Sequence, residues 1–324
     1  MKKVCLLASV FWPIYPGFGG RHAYALAGNL VEVGFDVSVV SAFTIDLRKR
    51  GNFFRQKPVS REELNGIKLY RVFTLLPTGL GLLRKLFFYI SFMGTSLMAI
   101  PYIREADFII GLHPPPAFLL LPGFIFSRVL GAKYIIRVTD LWPDVVFEFK
   151  LANRTPLRQM VVVMAKVTYG LADHIMAFTP EIRNRMLAAG IPETKISTVE
   201  MAVDTNTFSP QPVTEAAHLK LPDPKEKFTV LYAGAFALTY DFNTLLNAAK
   251  ELKEEEIIFI ILGDGDAKKE IVETIRQYDL KNVLMPPPVS GPGMVAKYIN
   301  YSDACVMPLK PEMITSTITR PSKI

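Results

Sequence analysis

The segment Gly17-Phe-Gly-Gly-Arg-His-Ala-Tyr-Ala-Leu-Ala-Gly-Asn-Leu30 holds three glycines within four residues and then takes on helical apolar spacing. A glycine turn that opens a helix offers unpaired backbone N–H groups at the positive end of the helix dipole. The ligand suited to it is an anion, either phosphate or carboxylate. Two familiar versions of this device are excluded. The dinucleotide fingerprint G-x-G-x-x-G fails because His22 occupies the third glycine position, and the next strand offers Ser38 to Ser41 where a ribose-binding acid would stand. No G-x-x-x-x-G-K-[ST] occurs, which removes a P-loop. Gly234 and Gly263-Asp264-Gly265 follow apolar runs and could line a second anion site or serve as plain turn formers. Cys5 and Cys305 sit in apolar runs at opposite ends of the chain and read as reduced core thiols, with no disulfide framework or zinc spacing.

The elements that must carry these residues alternate between strand and helix. Strand-like runs fall at 3–10, 36–42, 107–112, 134–140, 174–179 and 195–201, with helical stretches after the glycine turn and around 117–130, 157–171 and 181–189. Between Phe208 and Phe228 the chain is rich in proline and charge and lacks an apolar period, which reads as a linker. The pattern then restarts with strands at 228–236, 257–265 and 303–309 and helices at 243–252 and 268–278. Such alternation predicts an α/β protein of two tandem, Rossmann-like, doubly wound domains: 1–205, a linker 206–227, and 228–324. The second domain carries fewer strands than a complete sheet of this type.

Several of these pieces together resemble glycosyltransferase family 4 enzymes of the GT-B fold. The opening FWPIYPGFGGRHAYALAGNLVEVGFDVSVVS is similar to the start of that family. RVTDLWPD (137–144) resembles an element of the subgroup that transfers amino- or deoxysugars in O-antigen, capsule and exopolysaccharide assembly. ADHIMAFTPEIRNRMLAAGIPETKISTV (172–199), VLYAGAF (230–236), FIILGDGDAKKEI (259–271) and DACVMPL (303–309) continue the resemblance in order. It implies an acceptor-binding first domain, a second domain binding a nucleotide-diphosphate sugar, retention of anomeric configuration, and neither metal nor cofactor. By the same resemblance, His113 and Asp140 are the catalytic candidates, and Arg21 and Trp142 face the acceptor. Gly19, Gly20, Gly234, Gly263, Gly265, Ser322 and Lys323 are the donor-binding candidates. The loop AFALTYDF (235–242) has neither the second glycine nor the basic residue that relatives place near the donor phosphate. The family's second glutamate of an E-x7-E element would lie beyond Ile324, so the chain is expected to be truncated at its C-terminus. A nucleotide-sugar 2-epimerase of the same fold and a non-catalytic acceptor-binding scaffold are the rival readings.

Charge and hydropathy address the partners. Lys and Arg number 37 against 30 Asp and Glu, a net +7, and half of the 324 residues are hydrophobic. That balance suits phosphorylated small molecules, nucleic acid or an anionic membrane surface. LRKRGNFFRQK (47–57) mixes five basic residues with Phe53 and Phe54, and residues 86–103 carry no charge at all. With no nucleic-acid motif present, the expected partners are a nucleotide sugar, a lipid-linked or glycan acceptor and an anionic membrane, and not nucleic acid. Residues 86–103 include Ser91, Thr95, Ser96 and Pro101, which favours a buried or membrane-apposed helix over a span. The N-terminal apolar run is too short for a span and lacks a signal-peptidase site. The protein is therefore expected in the cytoplasm, peripheral on the inner face of the plasma membrane.

Overall fold

The computed structural model describes residues 1–14, 18–44, 58–74, 82–113, 120–148, 155–200, 203–212, 221, 226–237, 239–289, 291–313 and 318. The chain forms two compact units, Met1–Glu200 and Met201–Ile324. Residues 47–57, expected to be a basic stretch, and Gly17, Ser322 and Lys323 lie outside the described residues.

The first unit is built on an 8-stranded sheet of order β3-β4-β2-β1-β5-β6-β7-β8. Its strands are β1 (Lys3–Ala8), β2 (Asp36–Thr44), β3 (Val59–Leu64), β4 (Ile67–Thr74), β5 (Phe108–His113), β6 (Lys133–Val138), β7 (His174–Ala177) and β8 (Ile196–Thr198). Every neighbouring pair is parallel except β3 with β4. That antiparallel hairpin falls in a segment for which no element is expected from the sequence, although Asn65-Gly66 marks it. Both residues have positive φ, 50° and 77°, which is the twist a two-residue hairpin turn demands. β1 is buried along nearly its whole length because helices cover both faces of a parallel sheet. Helix α1 (Phe18–Glu32) lays Ala23 and Ala27 on Val4, Leu6, Val37, Val39, Leu69 and Ile110.

The uncharged stretch 86–103 divides into helix α2 (Leu82–Ser96) and a 3-10 helix (Leu97–Tyr102) that contains Pro101. Proline withholds an N–H and crowds the preceding turn, so the α-helix does not continue through it. Phe92, Ser96, Ala99 and Ile103 are buried, while Phe87, Ile90, Met98 and Tyr102 are exposed. No helix among the described residues is long and apolar enough to cross a membrane. Helices α3 (Leu121–Leu130), α4 (Asp144–Glu148), α5 (Thr155–Leu171) and α6 (Pro180–Ala188) complete the unit.

The second unit holds a 4-stranded parallel sheet of order β11-β10-β9-β12. The strands are β9 (Phe228–Ala235), β10 (Ile257–Asp264), β11 (Val283–Leu284) and β12 (Ala304–Cys305). With them go helices α7 (Phe242–Glu251), α8 (Lys268–Gln277) and α9 (Pro292–Tyr301). The strand expected over 303–309 is only two residues long. Beyond it Leu309 bridges Tyr240, which draws the chain away from the sheet. The stretch read as a linker begins inside this unit, because Asn300 of α9 donates to the Ser209 carbonyl at 3.1 Å and accepts from the Gln211 N–H at 3.2 Å.

Candidate functional site

In parallel α/β sheets ligands collect beyond the carboxyl ends of the strands, and in the first unit the polar residues gather there. Across five adjacent strands, Leu69, Val39, Leu6, Ile110 and Ile135 form one continuous apolar row. Two residues further along each strand the same face reads Arg71, Ser41, Ala8, Leu112 and Arg137. The face under α1 thus changes from apolar to cationic at its carboxyl edge.

The two arginines are held differently. Arg71 is fully buried, pairs through Nε with Glu62 at 2.9 Å, and donates from Nη2 to the Trp12 carbonyl at 3.4 Å. Arg137 is 4 % exposed, and its buried Nε has no hydrogen-bond acceptor. Among the described residues no carboxylate pairs with it; its guanidinium lies over the Phe178 ring, 6.0 Å from the centroid. Burial lowers the Arg137 pKa, since a desolvated cation is penalised. His22, in the second turn of α1, meets the same Phe178 ring edge-on at 6.4 Å. Burial, and then the charge of Arg137, push the His22 imidazole down to about 4.

The expected residues fall around this edge. Gly19 and Gly20 lie in the first turn of α1, and the Gly20 carbonyl accepts from the Trp12 N–H at 3.2 Å. A β-carbon at Gly19 would meet Val10 at 3.2 Å, so a small residue lets the helix start close to the end of β1. Arg21 stacks on the Trp12 ring at 5.1 Å. Asp140 follows β6 by two residues; burial raises its pKa, opposed by a hydrogen bond from Thr139 at 3.2 Å. The Trp142 N–H donates to the buried Tyr169 hydroxyl at 3.2 Å, while its own indole Nε1 is buried without an acceptor. Asp140 and Asp144 also act on Tyr169, whose pKa is raised chiefly by burial. Asp140 and Trp142 are therefore brought together through α5. His113 ends β5 opposite Val138.

In the second unit the candidate glycines are occupied by packing. A β-carbon on Gly263 would lie 1.8 Å from the Gly234 carbonyl oxygen, and one on Gly265 would lie 2.8 Å from the Phe236 carbonyl oxygen. Their φ values of 154° and 152° suit glycine alone. Gly234 itself leaves room for the Tyr232 hydroxyl, which donates to the Ala235 carbonyl at 2.5 Å. Along the loop that follows β9 the fold supplies a basic residue that the local sequence lacks. Lys310, reached through a backbone bond to the Thr239 carbonyl at 3.4 Å, lines a notch of about 50 Å³ with Tyr240, Asp241, Asn243 and Glu270. That volume is well below the few hundred Å³ of a nucleotide pocket.

Sequence reasoning missed Arg137, His22 and Lys310. The first had a signal, a charged residue inside the buried run YIIRVT; Lys310 had none, since only a long-range contact sets it beside Asp241. Among the described residues no group of three or more His, Cys, Asp or Glu side chains could hold a metal ion.

The family profile described as Glycosyltransferase Family 4 matches residues 19–207, and the profile described as Glycosyl transferases group 1 matches 213–318. The Escherichia coli (strain K12) protein WcaI, named as a colanic acid biosynthesis glycosyl transferase, is 22% identical over 193 residues, 56% of this chain. The match spans 46% of WcaI, under half its length. Among solved structures, Anabaena Alr3699/HepE in complex with UDP and glucose superposes with a TM-score of 0.63 at 13% identity, covering 98% of this chain and 77% of that one. WaaG, a glycosyltransferase involved in lipopolysaccharide biosynthesis, gives a TM-score of 0.63 at 13% identity, with 94% of this chain and 75% of that one covered. These likenesses bear on the fold alone. The first profile spans more than half of the chain, the second follows on the other unit, and both units are built on predominantly parallel sheets of GT-B type: the chain belongs to glycosyltransferase family 4.

Proposed function

We propose that this chain moves a sugar from a nucleotide-diphosphate donor to a lipid-linked or polysaccharide acceptor in cell-surface glycan assembly, with retention of configuration and without a divalent metal. The observation that carries this reading is the order of the two family matches, one on each α/β unit. In support, a structural neighbour is in complex with UDP and glucose, and a relative is named for colanic acid biosynthesis. The second unit takes the donor, with Lys310 near its diphosphate, and the first takes the acceptor at the carboxyl edge of its sheet. The bond between the anomeric carbon and the diphosphate oxygen breaks, the acceptor oxygen bonds to that carbon on the same face, and its proton passes to the departing phosphate. Fixed positive groups stabilise the charge that grows on the leaving group. Asp140 and His113 hold the acceptor hydroxyl.

The exposed side of α2 and the 3-10 helix, with Phe87, Ile90, Met98 and Tyr102, is proposed to rest on the membrane that carries the acceptor. The full chain should release nucleotide from one member of a nucleotide-sugar panel only when a lipid or glycan extract is added, at a rate unchanged by EDTA. Asp140→Asn is expected to lower kcat about 100-fold with donor affinity retained. Conversion of the nucleotide sugar to its 2-epimer without acceptor would indicate epimerisation, and no affinity for any nucleotide sugar would leave a scaffold.

A further inference from the structure

The cationic row in the first unit contains a buried charge that pairs with no carboxylate among the described residues. Burying an unpaired cation is costly, and proteins retain one where a ligand completes it. Arg71 is already engaged by Glu62 and the Trp12 carbonyl, and by strand spacing it stands about 19 Å from Arg137, so the two do not share a ligand. Arg137 is 4 % exposed, its Nε lacks an acceptor, and Asp140 three residues on is bonded to Thr139. Its guanidinium and the His22 ring both lie against Phe178, and its charge acts on His22 in the second turn of α1. Leu112 beside it on β5 and Phe178 beyond β7 are both buried and apolar, which strengthens attraction for a negative charge and leaves a guanidinium fork to bind it.

We propose that Arg137 is the centre of an anion subsite in the first unit, one that takes a carboxylate or phosphate group carried by the acceptor. This rests on the transferase reading for the word acceptor, though not for the anion. It assigns the acceptor to an acidic class: either a glycan ending in a uronic-type sugar or a lipid-linked phosphate.

The test uses the full chain without donor. Inorganic phosphate, methyl glucuronide and neutral methyl glucoside are titrated by calorimetry into wild type, Arg137→Gln and Arg137→Lys, in chloride of matched ionic strength. The expected result is binding of at least one of the two anions, weakened about tenfold or more in Arg137→Gln and partly kept in Arg137→Lys, since charge-assisted bonds are strong and a lysine lacks the fork. Glucuronide alone would identify the uronic acceptor, and phosphate alone the lipid phosphate. Should either variant fail to fold, the Arg137 Nε–H resonance of wild type, shifted by an anion and not by chloride, gives the same answer. Anions that bind equally to Arg137→Gln, or bind nowhere, overturn the subsite, as does a resonance moved only by UDP. Arg137-dependent anion binding in a chain that transfers no sugar would sink the transferase reading and leave the subsite intact.

Discussion

At Gly263 the distance between backbones leaves no room for any side chain. The Gly234 carbonyl stands 1.8 Å from where a β-carbon would be, so relief requires β9 and β10 to separate. Gly263→Ala should lower stability by on the order of 3 kcal/mol, read as a shift in urea midpoint with unchanged slope. An alanine tolerated there would show that the glycine serves a ligand and not the sheet. His22 makes a second prediction at this scale. Its folded pKa is lowered from 6.5 to about 4, so below pH 6.5 the unfolded chain binds a proton that the native chain refuses. Stability is then complete above about 6.5 and falls as pH drops towards 4, by on the order of 1 to 3 kcal/mol. His22→Gln should flatten the Tm profile over that window, and an unchanged profile would place the titration elsewhere. The glycine turn and Asp140 were legible as residues. Arg137 left only the mark of a charge inside a buried run, and that no carboxylate among the described residues pairs with it is a matter of tertiary contact.

Among the elements, α6 depends on a local cap. Thr179 has extended backbone and its hydroxyl accepts from the Ile182 N–H at 3.2 Å, with Pro180 at the first helical position. Thr179→Ala should cost about 1 kcal/mol in urea unfolding, while Thr179→Ser should cost little. Helix α2 has a different relation to its surroundings. Phe87 is 60% exposed and Ile90 57% exposed on the side away from buried Phe92. Replacing both with serine should leave Tm within a degree or two. Co-sedimentation with anionic vesicles should weaken about tenfold, because each apolar side chain gains free energy on leaving water. Equal co-sedimentation would move membrane contact to another surface. Most of the longer strands and helices were readable from periodicity because burial imposes the period, whereas the short strand Val283–Leu284 and the helix Pro292–Tyr301 were not read. The hairpin 59–74 was hidden by its solvent-facing charges, Arg61, Glu62 and Glu63, despite the Asn65-Gly66 turn.

The whole molecule carries one thiol in each unit, which makes the units separately observable. Cys5 in β1 is completely buried, and burial pushes its thiol up to about 12. Cys305 in β12 is only partly buried, with a smaller upward shift from the same cause. Because a thiolate is the reactive form, Cys5 should resist disulfide reagents until the first unit unfolds. In a urea series Cys305 should be labelled first, since the smaller second unit buries less of its chain. Coincident labelling of both would show the units unfolding together.

Composition, alternation of apolar runs and the order of motifs determined the α/β class, two units and the family, because those properties follow from what each segment must bury. Tertiary structure alone decided that the second-unit glycines are spent on strand packing and that Lys310 stands beside Asp241. It alone placed Arg137 at the carboxyl edge of the first sheet with no carboxylate pairing among the described residues. Those are properties of distance between segments far apart in the chain, and residue type does not encode distance.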